Sequence, residues 1–409
     1  MHYILLWTEN LTQPYKTMSK GQNIFVERKC KYRNCFVTND ELYLKNVTDF
    51  DAIVFIGSQI TKSTIVPLSR SEDQLYVFAS KKPAKDYPMD THFDWFFNMT
   101  WTYKLDSDIP SWYIAVRNNT GAIVGPKKEP HWMSWISLDN MVSIIGDSYL
   151  TQKLHGKKTA VMWMADNCNS KKITGTREEY AKQLEHQMQK YGLKFDTYGK
   201  CGKKNCKSLK ECLSKLESDY YFYFAAEDST SKDYVTENLL YPLQHFAVPI
   251  VYGGANYTRF MPEGSYLNAK TLPADELALQ MSKILNDKDK YLTYFRWQKF
   301  YAFENTEDSP DTDEYCKFCA ILNNKRRRSE RKVYAHFSQW WNERPYETDG
   351  IFTSLHPDPI VTFSPAKTKD KIIMDNPYIP TSRHMEKKNE AGFFGFIASL
   401  VNYYFDIAL

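Results

Sequence analysis

Glycine-rich phosphate cradles are missing. Neither GxGxxG nor GxxxxGK[ST] occurs in the 409 residues, so a Rossmann dinucleotide fingerprint and a P-loop are both unsupported. An excess of one charge is missing too: 53 basic residues face 49 acidic ones, for a net +4, which leaves no electrostatic footprint for nucleic acid. The chain shows no legible leader peptide, since Ile4-Leu-Leu-Trp-Thr8 is too short for a leader core or a membrane span and reads as a first β-strand. Metal-ligand patterns are sparse. Cys316-Lys-Phe-Cys319 has no second CxxC or HxxxH at finger spacing, and Asp106-Ser-Asp108 does not sit in a strand-end loop, so no tightly bound metal is expected.

What is there points to a folded, two-domain chain. Hydrophobic residues make up 43% and aromatics 15%, enough to bury a core in each of two units. The eight cysteines, Cys30, Cys35, Cys168, Cys201, Cys206, Cys212, Cys316 and Cys319, favour disulfides over zinc, with the pairing open. Five N-glycosylation sequons, at Asn10, Asn46, Asn98, Asn118 and Asn256, accompany them and point to the lumen of the secretory pathway. A luminal protein needs an entry signal, so an N-terminal anchor beyond this sequence is the simplest expectation. The apolar stretch 391–409 contains Asn402 and Asp406 and is expected to be an amphipathic docking helix rather than a span.

Apolar runs at 51–57 and 75–79 read as buried strands of a first unit over 1–150, and the aromatic stretch from Trp112 to about Ile145 as a connector. A second α/β unit over 151–344 opens with a strand at 158–165. A polar loop 166–176, a helix capped by Thr176, strands at 195–198 and 220–225, a helix over about 235–246 and a strand at 247–253 follow. Strands alternating with helices imply parallel sheets with crossover helices, whose ligands sit beyond the carboxyl ends of the strands. The helix near Val235 would aim its N-terminal amides at that crevice, a place for a diphosphate. Helices are expected over 272–300, a solvated basic face over 325–332, and a linker-like tail over 345–409 ending in the apolar segment.

Asp233-Tyr-Val-Thr-Glu-Asn-Leu-Leu240, Phe246-Ala-Val-Pro-Ile-Val-Tyr-Gly253 and Tyr257-Thr-Arg-Phe-Met-Pro262 resemble the donor signature of α1,3-fucosyltransferases. Tyr291-Leu-Thr-Tyr-Phe-Arg-Trp297, the cysteine pair at 316 and 319, the motif at 97–108 and the opening strand are similar to further segments of that family, in the same order. The resemblance reaches to about Trp341 and leaves the tail uncovered. It implies a GT-B fold, with two Rossmann-like α/β domains facing a cleft, and GDP-fucose as donor. It also implies inversion at the anomeric carbon, a GlcNAc-containing glycan as acceptor, and a membrane-associated place in the Golgi lumen. By position, Arg177 corresponds to the diphosphate-binding arginine, Tyr234 and Glu237 to donor-holding residues, and Glu227 to a residue on the fucose side.

Three positions depart from the family. Asp228 stands where an amide is expected, Asn238 where a lysine should meet the phosphates, and Lys81 at the place of the carboxylate base. The first two make the diphosphate site about two charges more negative, and an uncompensated buried charge costs on the order of a few kcal/mol. Lys171, Lys172 or Lys232 could replace the lost charge. These departures keep a second reading in play, a catalytically impaired relative that binds glycan or nucleotide, and a third, a GT-B transferase preferring UDP over GDP. Restoring Lys81→Glu and Asn238→Lys is expected to raise turnover.

Overall fold

The computed structural model describes residues 1–8, 21–133, 148–168, 176–308, 312–325, 331–343, 360–363 and 373–375. The first unit is built from β1 (His2–Leu6), α1 (Asn23–Glu27), β2 (Cys35–Thr38), β3 (Ala52–Ile56), β4 (Ser69–Ser71), β5 (Leu75–Ser80), β6 (Met99–Thr102) and β7 (Ile109–Pro110). Six of these strands form one parallel sheet in the order β2-β1-β3-β5-β6-β7. The runs AIVFI and LYVFAS are buried at every position, as expected of parallel strands covered on both faces.

The aromatic stretch expected to be a connector instead supplies β8 (Ile114–Asn118) and β9 (Ile123–Gly125). Next come α2 (Ser148–Leu154), β10 (Thr159–Met164), α3 (Thr176–Gln189), β11 (Phe195–Tyr198), α4 (Leu209–Asp219), β12 (Tyr220–Ala226) and α5 (Glu237–Gln244). They are followed by β13 (Val248–Tyr252), β14 (Leu267–Asn268), α6 (Ala274–Leu285), α7 (Lys288–Thr293) and β15 (Tyr301–Asn305). A second parallel sheet runs β11-β10-β12-β13-β14, while β15-β8-β9 is a small antiparallel sheet that packs against α5. Helix α5 begins two residues later than the hydrophobic pattern suggested. Thr236 is extended, and its hydroxyl caps the amide of Asn238, so Val235 stays outside the helix.

The chain then returns to the first unit through α8 (Glu314–Asn323), β16 (Arg331–Tyr334) and α9 (Phe337–Asn342). Tyr315, Phe318, Cys319 and Leu322 pack on one face of the first sheet with Ile4, Val54, Val77 and Trp101. Phe337, Trp340 and Trp341 pack on the other face with Phe55, Phe78 and Phe97. Residues 314–342, which lie within the unit expected over 151–344, thus pack on the first sheet. The tail expected to be a linker adds β17 (Ile360–Phe363), antiparallel to β16, and β18 (Ile373–Asp375), antiparallel to β4. Its terminal segment 391–409 lies outside the described residues. Among the described residues, no helix is long and apolar enough to cross a membrane.

All eight cysteines are paired: Cys30–Cys316, Cys35–Cys319, Cys168–Cys201 and Cys206–Cys212. The first two staple α8 to the start of the chain across sequence separations of 286 and 284 residues. One such closure removes about 5 kcal/mol of unfolded-chain entropy in the loop-closure picture. The second adds little, because its cysteines sit beside those of the first. Of the sequons, Asn46 is exposed, whereas the Asn98 side chain is held by Arg70, the Tyr76 amide and the Lys332 carbonyl. Asn10 lies outside the described residues.

Candidate active site

The donor signature folds around the carboxyl end of β12. Glu227, the residue after that strand, accepts from the Thr236 amide at 2.9 Å and the Thr236 hydroxyl at 2.8 Å. The pair fixes the first turn of α5 against the sheet. Burial pushes the Glu227 carboxyl up to about 8, partly offset by the Thr236 hydrogen bonds, because a carboxylate sealed from water favours its neutral form. Glu227 thus forms part of the wall that holds the α5 terminus. Asp233 turns the chain with φ +61° and is buried. Its carboxylate accepts from the Leu105 amide at 3.4 Å and lies 3.7 Å from Arg259. Gly254 is required by contact: a Cβ there would overlap the Thr230 carbonyl.

Tyr234 is buried at the junction of the two units, with Tyr103 at 5.1 Å and Tyr113 at 6.4 Å between ring centroids, both nearly perpendicular to it. Burial raises the Tyr113 hydroxyl well above the usual phenol range, and the negative charges of Glu237 and Glu227 add to this. Tyr113 therefore borders the donor motif. Glu237 and Asn238 open α5, half-buried, and Asp228 is likewise half-buried. Arg177 lies in the first turn of α3. Its guanidinium donates to the Ala226 carbonyl at 3.3 Å and the Asn167 carbonyl at 2.6 Å, and pairs with Glu178 at 2.9 Å. It thus stands at the carboxyl edges of β10 and β12.

Lys81 lies on the opposite side, directly after β5. Its carbonyl accepts from the Tyr113 hydroxyl at 3.1 Å, and its ammonium sits 5.4 Å from the Tyr113 ring centre. The sequence has no carboxylate near Lys81, but the fold brings one from afar: Glu314 Oε1 is 3.8 Å from Lys81 Nζ. Lys85 donates to the Thr230 hydroxyl at 3.1 Å, and its amide to Ser231 at 3.0 Å, joining the first unit to the donor loop. Sequence reasoning missed Tyr113, Lys85 and Glu314, since nothing local marks them. The expected role of Lys232 as a replacement cation is not met, because its ammonium is paired with Glu343 at 2.6 Å. Lys171 and Lys172 fall outside the described residues. Cys30, Asp313 and Cys316 form the one metal-like cluster among the described residues, but both thiols are consumed in a disulfide.

Two family models match this layout. "Fucosyltransferase, N-terminal" covers residues 1–114, and "Glycosyltransferase family 10 (fucosyltransferase) C-term" covers residues 154–340. The chain belongs to glycosyltransferase family 10, the fucosyltransferases. This fucosyltransferase is 31% identical to alpha-(1,3)-fucosyltransferase C of Drosophila melanogaster over 348 residues, which span 83% of this chain and 77% of that one. It is 26% identical to glycoprotein 3-alpha-L-fucosyltransferase A of the same organism over 332 residues, or 79% and 58% of the two chains. A solved α1,3-fucosyltransferase with GDP-fucose superposes on 79% of this chain and 91% of its own, with a TM-score of 0.45 at 12% identity. The fucosyltransferase is a mixed α/β protein with two parallel sheets, and the candidate residues described above lie at the carboxyl edges of both.

Proposed function

We propose that this fucosyltransferase moves fucose from GDP-fucose to a GlcNAc-containing glycan in α1,3 linkage, with inversion at the anomeric carbon, in the Golgi lumen. The observation that carries the reading is the meeting of Arg177, the first turn of α5 and Tyr113 at the carboxyl edges of the two parallel sheets. A guanidinium and the amides of a helix start are suited to the growing negative charge on a departing diphosphate. In this reading Glu237, Asn238 and Asp228 hold the donor, and Tyr234 braces the loop that carries them. Four disulfides agree with an oxidising lumen. The polypeptide relatives named above are α1,3-fucosyltransferases, which supports the linkage.

GDP release from GDP-fucose, measured with and without a panel of GlcNAc-terminated glycans, tests the reading. Acceptor-dependent release is expected. GDP-fucose binding without release would favour the second reading, a binding protein derived from the family. That reading draws on Asn238 standing in place of a lysine and on Lys232 being held by Glu343.

A further inference from the structure

Transfer to a hydroxyl needs a group that takes the hydroxyl's proton, and the ammonium of Lys81 is a poor candidate while it faces a carboxylate. Helix α8 runs antiparallel to the strands of the first sheet. Its C-terminal Asn323 bonds Asn34 just before β2 at 2.8 Å, and Cys319 is bonded to Cys35 at the start of β2. Its N-terminal Glu314 instead accepts from Trp101 Nε1, near the end of β6, at 3.1 Å. Glu314 therefore stands at the carboxyl edge of the sheet, on the side where Lys81 and Tyr113 meet the donor motif.

The geometry divides the work of its two oxygens. Oε2 is occupied by Trp101, whereas Oε1 is 3.8 Å from Lys81 Nζ, too far for a direct hydrogen bond. Oε1 accepts no hydrogen bond among the described residues, so it keeps its lone pairs, and the Glu314 side chain retains 11% of its exposure. The position is also rigid: two disulfides pin α8, and Asp313 caps it through the amides of Tyr315 and Cys316 at 2.9 and 3.0 Å. A first-turn carboxylate is favoured by the helix dipole.

We infer that Glu314 is the general base of this enzyme, a carboxylate delivered by α8 to the place where β5 ends in Lys81. The inference rests on the transferase reading above. In the step, the acceptor oxygen bonds to the anomeric carbon as its proton passes to Glu314 Oε1. The bond from that carbon to the β-phosphate oxygen breaks, and its electron pair leaves with GDP. Lys81 is a positioning residue that orients the carboxylate.

The test uses the full chain, GDP-fucose and a GlcNAc-terminated glycan. Glu314→Gln keeps the Trp101 hydrogen bond and is expected to lower kcat by roughly a hundredfold or more, with GDP-fucose affinity within about twofold of wild type. Formate is expected to restore part of the turnover of Glu314→Ala. Lys81→Glu in the Glu314→Gln background is expected to recover activity by moving the carboxylate to the strand. A Glu314→Gln enzyme within about threefold of wild type in kcat would overturn the assignment. So would a loss matched by lost GDP-fucose binding, or a loss that neither formate nor Lys81→Glu repairs. Wild-type protein that binds GDP-fucose but transfers to no acceptor would overturn the transferase reading, and this inference with it.

Discussion

The two edges that meet at the site are put together in opposite ways. On the second sheet, Glu227, Asp233, Tyr234, Thr236, Glu237 and Asn238 come from one stretch of chain, turned by Asp233 and clamped by the Glu227–Thr236 hydrogen bonds. On the first sheet, Lys81, Tyr113 and Glu314 come from three distant segments, and two disulfides bring the last of them into place. The donor edge thus depends on a buried, titratable clasp. The opposite edge depends on covalent staples that pH does not touch.

The largest expected effect separates these two dependences. The folded Glu227 carboxyl titrates near 8 and the unfolded one near 4.5, so the native state binds the extra proton. Its stabilisation is complete below pH 4.5 and is lost as pH rises towards 8, at up to about 1.4 kcal/mol per pH unit. The buried lysines Lys157 and Lys104 are lowered by desolvation to about 7 and about 8, so their opposite slope sets in around pH 7 and grows above it. Amide exchange along α5 is expected to accelerate between pH 5 and 7, beyond the intrinsic rate, while β5 is spared. In Glu227→Gln that acceleration disappears, and a slope unchanged in the variant would refute the clasp.

The staples come next. Replacing all four of Cys30, Cys35, Cys316 and Cys319 by alanine is expected to cost about 5 kcal/mol in denaturant unfolding. Removing either disulfide alone should cost less than half of that, since the surviving bridge closes nearly the same loop. Equal and additive losses would show that the two bridges act through strain or packing instead. Gly254→Val should then cost about 3 kcal/mol, because the Thr230 carbonyl must move, and GDP binding should weaken before acceptor binding does. The smallest change is Asn238→Lys. A partly exposed cation beside a diphosphate contributes about 1 kcal/mol, so GDP affinity is expected to rise about fivefold by calorimetry.

The same contrast decides what could be read from the amino-acid sequence. Buried parallel strands announce themselves as apolar runs such as AIVFI, and the contiguous donor stretch 233–240 carries its own order, so both were legible. A residue such as Glu314 has no local mark, because its meaning comes from where α8 is stapled. The return of 314–343 to the first sheet was likewise hidden. Trp340 and Trp341 look like any apolar pair until Phe78 and Phe97 are seen beneath them. Lys232 misled because a lysine in a crevice loop was expected to face phosphate, and Glu343, far along the chain, takes it instead.

The interleaved order of the chain has a consequence for biosynthesis. The first sheet emerges from the ribosome early, but the helices covering both of its faces, α8 and α9, are made only after the whole second unit. Until then Cys30 and Cys35 have no native partner, and the apolar faces of β3, β5 and β6 wait uncovered. The first unit is therefore completed last, although it starts first. Truncation anywhere before residue 343 therefore removes the final pieces of a unit that began at residue 1.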